Sequence, residues 1–216
     1  MSTLYDRPVR CAICGRETEC TEIGTTNAFG SPDLDLRPPE MQRSTLPFWI
    51  QKCSFCGYTA TDLSKTEETD PAYLSSPEYT RCEDLPLPEG RCRHFYQYYL
   101  LGRQRGDREA QLFGLRCAFW ICDDLDELWM AEVLRGKAIQ LLDEHPEEDP
   151  EQREREMVMR ADLLRRSGQF QRLLDEYRGF EAKAPIHRAI LRYELRCARM
   201  EDDRAHTVRE AAPRFD

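Results

Sequence analysis

Two copies of one five-residue pattern, Cys11-Ala12-Ile13-Cys14-Gly15 and Cys53-Ser54-Phe55-Cys56-Gly57, lie 42 positions apart near the start of the chain. Two residues between cysteines let a tight turn aim both sulfurs at one ion, with amides of the turn donating to them. Glycine after the second cysteine supplies the left-handed backbone angle that closes the turn without a Cβ clash. Together the two turns complete a tetrahedron, so Cys11, Cys14, Cys53 and Cys56 are read as the ligands of one zinc ion. Four cysteines fill the coordination sphere and leave no position for water or substrate, unlike catalytic zinc. The expected role is therefore structural, in a segment too short to have a good core of its own.

A chain of 216 residues has room for one sizeable domain or two small ones. One third of it is charged, the mean hydropathy is -0.71, and no run of about 18 uncharged apolar residues occurs. A soluble protein without a spanning helix is expected. The opening MSTLYDRPVR lacks the apolar region of a secretory signal. Ten cysteines then suit a reducing cytoplasm with a metal site and buried thiols, rather than a disulfide framework. The formal charge of -9 becomes about -11 with zinc on four thiolates, which repels phosphate backbones and disfavours nucleic acid. Arg7, Arg10, Arg16, Arg37, Arg43 and Lys52 are expected to neutralise the zinc site rather than to form a nucleic-acid patch.

The fold class expected is α+β: a small four-cysteine zinc ribbon over residues 1–65, a proline-containing connector over 66–90, and an all-α domain of stacked helical hairpins over 91–216. In the ribbon, Phe48 to Lys52 reads as a strand with Thr21 to Thr26 as its partner. Asp33-Leu34-Asp35-Leu36-Arg37 alternates, and reads as an edge strand packing its two leucines on the ribbon. Ser76-Pro77-Glu78 is a helix start, with Ser as cap and Pro at the first helical position. Beyond Gly90, helices pair across tight polar turns at Arg103–Asp107 and Arg165–Gln169. Phe170, Leu173, Leu174, Tyr177 and Phe180 make one apolar stripe. Segments ending at Gly106, Gly168 and Asp202 align, and the second interval, 34 residues, equals the tetratricopeptide period. The tetratricopeptide signature residues themselves are absent. With its own metal for the ribbon and its own stripes for the helices, each part is expected to fold independently.

The order of these parts resembles an uncharacterised bacterial family, a domain of unknown function in which a split zinc ribbon precedes tetratricopeptide-like helices. The resemblance spans nearly the whole chain, and only Cys11, Cys14, Cys53 and Cys56 are specific enough to carry across. It implies a cytoplasmic zinc-binding protein without an established activity.

No phosphate-binding glycine loop, nucleophile elbow or His-Glu-x-x-His helix is present. His94, His145, His187 and His206 are far apart, and none is read as pairing with another ligand; Cys117, Cys122 and Cys197 are read as small buried hydrophobes. Cys92 and His94, two apart on a helix, face different ways, which argues against a second metal site with Cys82. Cys20, weighed as a spare ligand or a redox partner for Cys14, is set aside in the same way. The acidic run from Asp143 to Glu156 reads as a solvated turn and helix start. The leading functional expectation is a non-enzymatic interaction scaffold with zinc as its cofactor and a protein or basic peptide as its partner. Tyr96, Tyr99, Trp120 and Trp129 are the candidate partner-binding residues. A redox- or zinc-responsive switch is the alternative, and a nucleic-acid module the weaker one.

Overall fold

In the computed structural model, which describes residues 2–214, β1 (Thr3–Arg10) and β2 (Glu17–Thr25) form an antiparallel hairpin, with the first knuckle at its turn. β3 (Gln51–Lys52) and β4 (Thr59–Ala60) form a second, shorter hairpin that carries the second knuckle in the same way. The expected pairing of residues 21–26 with residues 48–52 is therefore corrected. β2 takes β1 instead, and Phe48 closes a 3₁₀ turn over Arg43–Phe48, because Pro47 lacks the N–H that a strand ladder needs. After the hairpins come α1 (Pro77–Arg81), α2 (Arg91–Arg105), α3 (Arg108–Asp124), α4 (Leu128–Glu144), α5 (Pro150–Arg166), α6 (Phe170–Glu176), α7 (Pro185–Arg199) and α8 (Val208–Ala211). The architecture is α+β, with small antiparallel hairpins followed by helices.

Local signals place these helices. Ser76 Oγ accepts from the amide of Tyr79 to start α1, Asp107 caps α3 and Asp149 caps α5 with Pro150 in its first turn. The acidic run thus supplies the expected helix start, while its Glu154 also accepts from the amides of Lys183 and Ala184. Four helices end in one hydrogen-bond pattern, in which an amide two or three residues past the helix reaches back five positions. Asp107 donates to Gly102, Glu127 to Cys122, Gln169 to Leu164 and Asp202 to Cys197. The left-handed residues are Gly106, Asp126, Gly168 and Glu201. Glu201, not Asp202, is thus the counterpart of Gly168, which makes the interval 33 rather than 34. The aligned segments share a helix-ending motif that α3 also carries.

The chain divides into two compact units. One runs through Asn27 and resumes over Met41–Leu134, so it combines the cysteine knuckles with α1, α2 and α3. The other comprises Ala28–Glu40 and the chain from Arg135 onward, and the division falls inside α4. The units divide the chain elsewhere than at the expected boundaries of residues 65 and 90.

In the first unit, the hairpins lie on the helices. Arg91 donates to Ile50 O, Lys52 Nζ donates to Gln97 Oε1, and the Tyr79 hydroxyl donates to Gly57 O at 2.7 Å. Trp49 stacks on Phe113, whose edge also meets Phe95 and Tyr98. α2 and α3 approach closely through Gly102 and Gly114, where a Cβ would lie within 3.0 Å of the facing helix.

In the second unit, the segment 33–37 is a tight turn and not an edge strand. Leu36 has φ 70° and is half exposed, the Arg37 amide donates to Asp35 Oδ1, and Asp33, Asp35 and Arg37 are buried. Asp35 pairs with Arg166 at 2.9 Å and Asp33 bridges Thr207 in antiparallel fashion; Leu34 is buried as the alternation implied, but the two acids and Arg37 are buried beside it. Arg165, expected in a polar turn, is fully buried between Asp162 and Glu194. Burial raises the pKa of both carboxyl groups, with the Arg165 charge opposing.

Candidate metal centre

The two knuckles repeat one backbone design. Cys11 N–H donates to Arg16 O and Gly15 N–H to Cys11 O; Cys53 N–H donates to Tyr58 O and Gly57 N–H to Cys53 O. Both glycines sit at positive φ, 71° and 78°, the angle that closes the turn. The amides of Ile13 and Cys14 face the Cys11 sulfur, and those of Phe55 and Cys56 face the Cys53 sulfur.

The hairpins bring the four sulfurs within 4.8 Å of one another, with Cys11–Cys56 and Cys14–Cys53 each 3.7 Å apart. A disulfide would need about 2.05 Å. A tetrahedral zinc with bonds of about 2.3 Å sets its sulfurs about 3.8 Å apart. All four cysteines are free thiols, arranged as a tetrahedral cation would hold them. Burial opposes ionisation of Cys53, but the amides of Cys56 and Phe55 and the Thr18 hydroxyl outweigh it and lower its pKa to about 6. Burial raises Cys11, and burial with the neighbouring sulfurs raises Cys56 strongly. One negative charge is thus accommodated without help, while four thiolates together require a cation. The donor set fits a metal held through Cys11, Cys14, Cys53 and Cys56.

Thr18 was missed in the sequence. Its hydroxyl donates to Cys53 Sγ at 3.6 Å, and its position two residues into β2 shows only once the hairpin registers are known. Arg10 donates to Gly15 O, and Arg16 stacks over Phe55 at 4.7 Å, so these two cations do lie against the knuckles. Arg7 instead pairs with Glu22, and Lys52 with Gln97. Cys20 lies in β2 opposite Arg7, outside the four-sulfur group. Cys92 meets Cys122 at 3.4 Å rather than His94.

Three of the four expected partner-binding residues are corrected by burial. Tyr96 is closed off beneath Glu83, to which its hydroxyl donates; Tyr99 packs on Tyr96 and Arg103; Trp120 packs on Phe119 and Arg116. Aromatic density on α2 and α3 serves the core. Trp129 alone is open, 61% exposed, with Leu125 and Leu128 exposed beside it on the turn into α4. Asp126 and Glu127 are exposed on the same turn.

The sequence reading also missed a second convergence. Cys197, Asp202 and His206 bring one sulfur, one carboxylate oxygen and one ring nitrogen within 4.8 Å of each other. The signal was their short spacing across the turn after α7, which histidine pairs alone do not reveal. No helix among the described residues is long and apolar enough to cross a membrane. No protein-family model matches the chain, and no curated protein or solved structure matches it either.

Proposed function

We propose that this chain is a non-catalytic cytoplasmic interaction protein, with a structural zinc on Cys11, Cys14, Cys53 and Cys56 and a protein partner docked at Trp129. The observation that carries the reading is the four-sulfur geometry, with 3.7 Å contacts across the knuckles and cysteine at every corner. A zinc there has no site for substrate, so its contribution is folding free energy. The helical hairpins, read as tetratricopeptide-like, serve as the frame.

For the partner, Leu125, Leu128 and Trp129 offer an apolar contact edged by Asp126 and Glu127. That combination suits an amphipathic segment with net positive charge, and the chain's charge of -9 favours its encounter. Elemental analysis should give one zinc retained through Cys11, Cys14, Cys53 and Cys56, lost in Cys53→Ser. A photo-crosslinking residue at position 129 should capture a protein that the same residue at Phe29, also exposed, does not. The complex should weaken as salt rises. Nucleic acid bound more tightly than roughly 10⁻⁴ M at physiological salt would instead favour a recognition module.

A second reading has one observation in its favour. Cys14 lies at the solvent edge of the cluster, 3.7 Å from Cys53, whose thiol pKa is lowered by the amides of Cys56 and Phe55. In a redox switch, peroxide would take two electrons from this pair and leave a Cys14–Cys53 disulfide, water and a released metal. Rapid, reversible zinc release under mild peroxide would promote that reading over the scaffold.

A further inference from the structure

We propose that Cys197, Asp202 and His206 form a second metal site, which takes one divalent transition-metal ion such as zinc and leaves its fourth coordination position to solvent. The three donor atoms lie within 4.8 Å of one another, and His206 Nε2 is 3.2 Å from Asp202 Oδ2. Zinc bonds of about 2.0–2.3 Å place tetrahedral donors roughly 3.3–3.8 Å apart, so the nitrogen–oxygen edge is already at its bound length. The sulfur lies within the same 4.8 Å of both. A thiolate, a carboxylate and a neutral imidazole balance the two charges of the ion, and this mixed donor set suits zinc. Binding displaces the thiol proton of Cys197 to solvent.

The backbone holds the donors in place before any ion arrives. The turn that ends α7 sends the Asp202 amide back to Cys197 O at 3.0 Å, which brings the carboxylate over the sulfur. Arg165, buried and anchored by Asp162 and Glu194, donates Nη1 to Asp202 O at 2.8 Å and to Arg204 O at 2.7 Å. The far side is tied by the Leu34 amide, which donates to His206 O at 2.9 Å. A buried cation thus shapes the loop through its carbonyls and leaves the Asp202 carboxylate to face the site.

The imidazole is oriented as a ligand would be. Its Nδ1 is 3.0 Å from the Tyr193 hydroxyl, and the tyrosine ring meets it edge-on, which leaves Nε2 for the ion. Tyr193 precedes Cys197 by one helical turn, so one face of α7 supplies both the ligand and its positioning residue. Cys197 and His206 are buried, and Asp202 is half-buried. Arg204 also grips the Asp202 carboxylate, at 2.9 and 2.7 Å, but its side chain is 77% exposed. An incoming metal competes with that arginine for Asp202 Oδ2, and the largely solvated Arg204 side chain is free to swing into water when displaced.

The test is a titration of the reduced, metal-free full-length chain with zinc and with cobalt, read by stoichiometry and by the cobalt spectrum. The expected result is two equivalents per chain, the second with a one-thiolate spectrum. His206→Gln and Asp202→Asn should each remove that equivalent and leave the four-thiolate bands intact, with helical circular dichroism unchanged. Tyr193→Phe should weaken it about 10-fold. Asp202→Asn keeps the loop's shape and decides the matter if His206→Gln fails to fold. Cys53→Ser separates this site from the first, since it should abolish the four-thiolate bands and spare the second equivalent. A second equivalent that survives both His206→Gln and Asp202→Asn, or a wild-type chain that binds only through the four-cysteine site, would overturn the proposal.

Discussion

Two glycines inside helices, Gly114 in α3 and Gly136 in α4, should respond oppositely to alanine. A Cβ at Gly114 would sit 2.8 Å from Phe95 O, 2.8 Å from Tyr99 N and 3.0 Å from Tyr99 Cα, against an ordinary limit of 3.4 Å. Phe95 O and Tyr99 N are four residues apart on α2, the span of one helical hydrogen bond, so the methyl group would press on backbone that no rotamer change relieves. α2 and α3 must part by about 0.6 Å, and a gap of that size forfeits roughly a quarter to a half of each dispersion contact. Overpacking of this kind costs about 1–3 kcal/mol. Better helix propensity returns at most about 1 kcal/mol, which leaves a net loss centred near ~1 kcal/mol. At Gly136 nothing lies within 4 Å of the added methyl, so only the propensity gain remains, about 0.5–1 kcal/mol. Urea unfolding reads both: Trp49, Trp120 and Trp129 all belong to the unit containing Gly114, and helical circular dichroism follows the helices of both units, α4 included. A Gly114→Ala chain as stable as wild type would show that α2 and α3 do not pack through that glycine.

Chelation under reducing conditions should lower the stability of the tryptophan-bearing unit as a whole, α2 and α3 included, because the hairpins and these helices share one set of contacts; unchanged tryptophan unfolding with metal removed would refute this. Burial, with the Lys52, Arg91 and Arg93 charges adding to it, lowers the His94 pKa to about 4. The neutral ring is thus the folded form, and its contribution is full above about pH 6.5 and lost as pH falls toward 4. His94→Gln should flatten the stability curve in that window, and an unaltered slope would count against the assignment. Arg165→Met should cost about 3–5 kcal/mol, since it leaves Asp162 and Glu194 buried without their cation; a loss below about 1 kcal/mol in thermal unfolding would mean the carboxyls are neutral without it.

The sequence by itself determined what is closed within a few residues. Cys-x-x-Cys-Gly specifies its own turn, Ser76-Pro77 and Asp149-Pro150 start helices, and Gly106 and Gly168 end them, because each depends on hydrogen bonds and backbone angles of adjacent residues. That was enough to name the four cysteines that the hairpins bring together and the α+β order. It was not enough for features that require distant partners. Asp33-Leu34-Asp35-Leu36-Arg37 has the alternation of a strand, yet Arg166 and Thr207, more than 130 residues away, turn its acids inward and leave Leu36 in water. Tyr96, Tyr99 and Trp120 look like a surface in a list and prove to be packing, because burial depends on which helix faces which. The division inside α4, the burial of Arg165 and the meeting of Cys197, Asp202 and His206 likewise belong to the tertiary structure. Only the folded chain sets the distance between one donor and the next, and that distance decides whether a cysteine or histidine is core or ligand.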